Sequence, residues 1–146
     1  MKAKEYLRHL QRLDTMINQK IKELNDLRMI SQSTGGMDYS KERVQSSPTG
    51  DAPFVQSVLR IAELEKEINA EIDRFVDEKH TVINQIQALQ NPRYIDILYK
   101  RYIEYKSLEQ ICVEMKFSYD HIRHLHGDAL KEFGEKFLKS THNNTL

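Results

Sequence analysis

Apolar residues return every three or four positions along most of this chain. Leu10, Leu13, Ile17, Ile21, Leu24 and Leu27 mark one face of a helix predicted from Lys2 to about Ile30. A second helix is predicted from about Pro53 to Gln90. There Phe54, Val58, Ile61, Ile68, Ile72, Phe75, Val82, Ile86 and Leu89 follow a heptad seam, with Glu65 and Lys79 as polar breaks. At 1.5 Å per residue this helix would be roughly 55 Å long, more than a small domain can bury alone. The first helix is its nearest partner. Lys2 to Ile30 carries seven basic and four acidic residues, net +3, and Pro53 to Gln90 carries four basic and seven acidic, net −3. Opposite charge favours pairing, although exposed ion pairs contribute little each. The pattern predicts a long antiparallel, coiled-coil-like hairpin. Two helices alone make a thin core, so its leftover apolar seam is expected to join another copy.

Between the two helices, Ser31 to Ala52 shows no apolar period and contains Ser-Gln-Ser-Thr-Gly-Gly and Ser-Ser-Pro-Thr-Gly-Asp. Residues 31–52 are therefore expected to form a flexible connection, with Asp51 capping the second helix and Pro53 tolerated in its first turn. Asn91-Pro92 marks a hinge: Pro cannot continue a helix but starts one well, with Asn91 as its cap. The expected organisation is a helical hairpin over 1–90, a compact helical domain over 91–139 and a frayed tail over 140–146.

The C-terminal domain carries the most specific pattern. Tyr94 to Tyr105 reads as a support helix, with Tyr99 and Tyr102 expected to pack through their rings and Tyr105 open to packing or to a phosphate contact. Ser107 is a good N-cap with Gln110 three residues later, the spacing of a capping box. Leu108, Ile111 and Met115 share one face, Cys112 supplies a small side chain for a helix crossing, and Lys116-Phe117 makes a turn. Ser118 is a second cap, with Asp120 in the first turn where a carboxylate suits the helix dipole. Ile122, Leu125, Ala129, Leu130 and Phe133 continue inward, and Phe137 closes the core. The outward face carries Tyr119, Asp120, His121, Arg123 and His124, with His126 at its edge. These are hydrogen-bonding side chains at the end that meets base edges when such a helix lies in a major groove.

The stretch from Ile97 through Tyr105-Lys106-Ser107-Leu108-Glu109-Gln110-Ile111, continued by Ile122-Arg123-His124-Leu125 and Ala129-Leu130, resembles region 4 of bacterial sigma factors. The whole chain is similar to phage-encoded transcriptional regulators of the ArpU kind. The sigma-like part covers about the last third. The resemblance implies a helix-turn-helix whose readout positions fall on Tyr119, Asp120, His121, Arg123 and His124. Lys116, Lys100 and Lys131 are candidate contacts to the DNA backbone. This chain departs from the family pattern in three ways. Lys116 and Tyr105 stand where Gly is usual, so Lys116 is expected to accept a left-handed conformation. Gly127 sits inside the recognition helix, at a cost of about 1 kcal/mol against Ala. The readout face is also poorer in Arg than is usual.

Composition bounds the rest. The chain has 146 residues, 39% hydrophobic and 30% charged, with formal net charge zero and one cysteine. From Asn91 onward there are nine Lys/Arg against eight Asp/Glu, net +1, so one copy can neutralise few phosphates. An oligomer, or a partner such as RNA polymerase, is expected to supply the missing affinity. A lone cysteine cannot form an internal disulfide, which suits a reducing cytoplasm, and the resemblance implies that of a bacterial host. No stretch is long and apolar enough for a membrane helix. His121, His124, His126 and Cys112 lack the paired spacing of a metal site. The chain has no phosphate-binding glycine loop and no nucleophile elbow, so no enzyme, cofactor or metal is expected.

Double-stranded DNA is thus the leading expected partner. Two alternatives stand beside a DNA-reading regulator: an adaptor that binds polymerase without reading DNA, and a DNA-packaging protein similar to a small terminase subunit.

Overall fold

The computed structural model describes residues 2–37 and 48–139, with side chains for 2–32 and 54–139. The fold is all-helical, and no strand occurs among the described residues. The elements are α1 (Ala3–Met37), α2 (Pro48–Gln87), α3 (Pro92–Leu98), a π-helical turn (Tyr99–Ile103), α4 (Leu108–Met115) and α5 (Tyr119–Phe137). Both long helices run further into the expected connection than composition suggested. Residues 31–37 and 48–52 are helical, and α2 passes through Pro53 instead of starting there. Its start moves to Pro48, where a missing N–H is harmless because the first turn has no intrahelical acceptor to serve. The remainder of the expected loop, 38–47, and the expected tail, 140–146, lie outside the described residues.

Packing divides the chain elsewhere than at the boundary expected at residue 90. One compact unit combines Met1–Asp14 with Phe75–Leu146; the other is Thr15–Arg74. The reason is apolar continuity. Leu7 and Leu10 of α1 and Val82, Ile86 and Leu89 of the α2 end share one buried cluster with Ile97, Ile111, Ile122 and Phe133.

In the first unit, three local devices fix the short helices. The Asn91 side chain accepts from the Arg93 N–H at 2.9 Å, starting α3 at Pro92. The expected single support helix is broken: after Leu98 the chain widens into a π turn, with the Glu104 N–H reaching back to the Tyr99 carbonyl. Ser107 and Gln110 form the reciprocal capping box in full, at 3.2 and 3.0 Å. Such a cap contributes about 1 kcal/mol.

Two non-glycine residues end segments in the left-handed region, Tyr105 at φ 59° and Lys116 at φ 58°. In both cases the next N–H reaches back to close the end of the helix, across seven residues after the π turn and six after α4. Lys106 donates to the Lys100 carbonyl at 3.0 Å, and Phe117 donates to the Cys112 carbonyl at 3.2 Å. Glycine normally takes this role because a Cβ there costs about 1–2 kcal/mol. At Tyr105 a side-chain contact offsets the cost, because its hydroxyl donates to Asp14. Burial and that carboxylate push the phenol up to about 12. Tyr105 is thereby held within the unit.

In the second unit, α1 and α2 segments meet through a thin core of Leu24, Leu64 and Ile68, flanked by Leu27, Ile61 and Ile72. Ion pairs flank it. Lys20 reaches Glu67 at 2.8 Å and also Glu71, and Arg28 pairs with Glu65. These hydrogen bonds raise the Lys20 ammonium above its ordinary range. The second carboxylate oxygen of Glu71 is buried without a hydrogen-bond partner. Phe54 and Val58, expected on the seam, are instead exposed, together with Val55 and Leu59. At 100° per residue, Val58 lies about 100° and Phe54 about 60° from the direction midway between Leu64 and Ile68, off the face that those two residues define.

Candidate nucleic-acid interface

The α4–turn–α5 unit positions the expected readout face. Ser118 starts α5 by accepting from the His121 N–H at 3.2 Å. At 100° per residue, Ile122, Leu125, Ala129 and Phe133 then fall on one side and are buried. Tyr119, Asp120, His121, Arg123 and His124 fall on the open sides and are exposed, as is Lys116 in the turn. The face is therefore not sealed against the protein's own body.

Two of its charges match one another. Arg123 donates to the Asp120 carboxylate at 3.2 Å, with both side chains well exposed. The His124 Nδ1–H donates to the Asp120 carbonyl at 2.8 Å, which leaves Nε2 as the acceptor of the neutral ring. Asp120 thus pre-sets Arg123 and His124 on one turn. A guanidinium can bridge guanine O6 and N7, a carboxylate can accept from a cytosine amino group, and an imidazole Nε2 can accept from either exocyclic amine. An exposed Arg–Asp pair is weak, so Arg123 can leave Asp120 for a base at little cost.

The backbone-contact candidates separate. Lys131 is exposed and shares the side of α5 that carries Asp120 and His124, about 10 Å further along the axis. Lys100 is only partly exposed. It lies 3.4 Å from Glu114 and 3.9 Å from Asp96 and helps, with Lys106, to hold the Glu114 carboxyl below its ordinary range. It braces the π turn against α4.

His126, expected at the edge of the readout face, is buried instead. It shares a 2.8 Å hydrogen bond with the Tyr102 hydroxyl, and the two rings stack. Burial, reinforced by the positive charges of Arg101, Lys4 and Arg8, lowers the imidazole to about 4. Burial likewise raises the Tyr102 phenol to about 12. Near neutral pH the pair is therefore uncharged.

Arg93 was missed by sequence reasoning. Its guanidinium lies over the Phe117 ring, 5.3 Å from the centroid, and Phe117 meets His121 edge-on at 4.6 Å. The exposed Arg93 is thereby brought from the start of α3 to the turn before α5. The only available signal was its place beside Pro92, which fixes a helix start and says nothing of an aromatic partner 24 residues away. Gly127 lies on the exposed side of α5, with open space where a Cβ would stand. Among the described residues no group of three His, Cys, Asp or Glu could hold a metal ion. No described helix is long and apolar enough to cross a membrane.

Compared with known proteins, the chain matches no family model, no curated protein and no solved structure.

Proposed function

We propose that this chain is a sequence-specific DNA-binding transcriptional regulator, phage-encoded and working in the cytoplasm of a bacterial host. On this reading α4, the Lys116-Phe117 turn and α5 form a sigma region 4-like helix-turn-helix, and α5 enters the major groove of double-stranded DNA. The observation that carries the reading is the free face of α5. Five polar side chains stand exposed at the N-terminal end of a capped helix whose opposite side is fixed in a core. Such a face is rigid and open, and its side chains match base edges.

The long helices are read as an antiparallel, coiled-coil-like hairpin that assembles copies. Supporting this, Lys20 meets Glu67 and Glu71, while Arg28, further along α1, meets Glu65, which comes earlier in α2. Phe54, Val55, Val58 and Leu59 present an apolar face on α2 that a second copy would cover. Two half-sites on DNA would then offset the low charge of each copy.

A second reading, an RNA polymerase-binding adaptor, is favoured by Val113. This residue is 78% exposed on α4 beside Glu109 and Glu114, a surface suited to protein rather than phosphate. Selection of bound duplexes from a random pool at low and at physiological salt tests the first reading. One recovered motif supports a reader. Recovery of no motif, with salt-resistant co-purification of polymerase, replaces it with the adaptor.

A further inference from the structure

The readout face offers phosphates few free cations, because Arg123 is matched by Asp120 and Lys100 by Glu114, which leaves Lys116 and Lys131. A second set of cations lies on the same unit. Lys4 and Arg8 come from α1 and Arg101 from the π turn, and all three act electrostatically on the His126 ring. No carboxylate among the described residues pairs with any of them; the one hydrogen bond in the set runs from Arg101 to the Lys106 carbonyl at 2.8 Å. Lys4 and Arg8 are exposed, and Arg101 is half-buried.

The position of this cluster follows from helix geometry. Taking Ile122 as the inward direction of α5, His126 lies about 40° away, Tyr119 about 60° and Arg123 about 100°, all on one side. Gly134 lies about 120° away on that same side, and Ala3 packs against it, its Cβ 3.7 Å from where a Gly134 Cβ would stand, while the Tyr6 ring lies 5.9 Å from that of Phe133. Tyr102, next to Arg101, reaches the same side through its hydrogen bond to His126. The first turns of α1 and Arg101 therefore border the flank that carries Tyr119 and Arg123. A helix seated in a major groove has a phosphate strand along such a flank.

We propose that Lys4, Arg8 and Arg101 form a phosphate-binding surface on the Arg123 flank of α5, through which the first turns of α1 grip the DNA backbone. This rests on the DNA-reading function proposed above. It gives α1 a second task besides assembly. It also explains why its first turns fold with the C-terminal unit: Leu7 and Leu10 anchor in that core while Lys4 and Arg8 stay outside.

The test uses the full chain and the selected duplex, with affinity measured across salt concentrations. Lys4→Ala with Arg8→Ala is expected to lower the salt slope by about 2 and to weaken binding roughly 10- to 30-fold at 0.15 M salt, for matched and mismatched duplexes alike. Lys22→Ala with Lys66→Ala, exposed cations of the other unit, controls for net charge and is expected to change the slope far less. An unchanged slope in the Lys4/Arg8 variant, with Arg123→Ala still weakening the matched duplex, overturns the phosphate surface and leaves the reader intact. A chain that binds no duplex at all removes both. Because both side chains are exposed, an unchanged melting temperature verifies that the variant keeps its fold.

Discussion

The two compact units are both built from helices, yet they spend their apolar residues differently. In the unit containing α3, α4 and α5, every helix contributes to one cluster, closed by Phe133. In the Thr15–Arg74 unit the buried cluster is Leu24, Leu64 and Ile68, while Phe54, Val55, Val58 and Leu59 face outward. The first is held by its own core. The second relies on exposed ion pairs, worth little each, and presents apolar surface that water disfavours. The proposed reading head thus closes its own core, whereas the two-helix unit leaves apolar surface open, the surface proposed above to take a second copy.

The sharpest way to break this comparison is to cut each core. Phe133→Ala is expected to cost about 3–5 kcal/mol in urea unfolding, and Ile68→Ala less, toward 2 kcal/mol, because a thin core collapses more easily around a lost side chain. Equal losses would erase the distinction. On the outward face, Val58→Glu with Leu59→Glu is expected to leave the monomer's helicity intact and to abolish self-association by sedimentation. A variant that still associates would place the assembly surface elsewhere.

Acid acts on the unit containing α3, α4 and α5 chiefly through buried His126. Its imidazole titrates near 4 when folded, against 6.5 when free, so the unfolded chain binds the extra proton between those values. Stability is complete above about pH 6.5 and falls as pH drops toward 4, by about 1–2 kcal/mol at pH 5. His126→Gln is expected to flatten that slope, and a slope of the same size in this variant would assign it to other groups. The smallest expected effect is at Gly127, where Gly127→Ala meets open space and should raise stability by about 0.5–1 kcal/mol. If the added methyl weakens DNA binding while raising the melting temperature, the backbone there approaches the duplex closely.

Local signals were the legible part of this fold. The caps at Asn91, Ser107 and Ser118 follow from side chains that reach only two or three residues. So does the left-handed turn at Lys116, which the Gly-replacing position predicted. The exposed α5 face followed from its period. The rest depended on partners distant in sequence. His126 is buried because the π turn brings Tyr102 against it, and a π turn leaves no mark in apolar spacing. Arg93 reaches the turn before α5 through Phe117. The division into units was hidden because α1 and α2 each continue unbroken across it, while the core that decides it joins Leu7 and Leu10 to residues from Val82 onward.

The most direct test of the central claim is amide chemical-shift mapping of the full chain titrated with its selected duplex. The largest shifts are expected on Tyr119 to His124 and Lys116, with a second set at Lys4, Arg8 and Arg101. Shifts confined to α4 around Val113, or spread without preference over the Thr15–Arg74 unit, would contradict it.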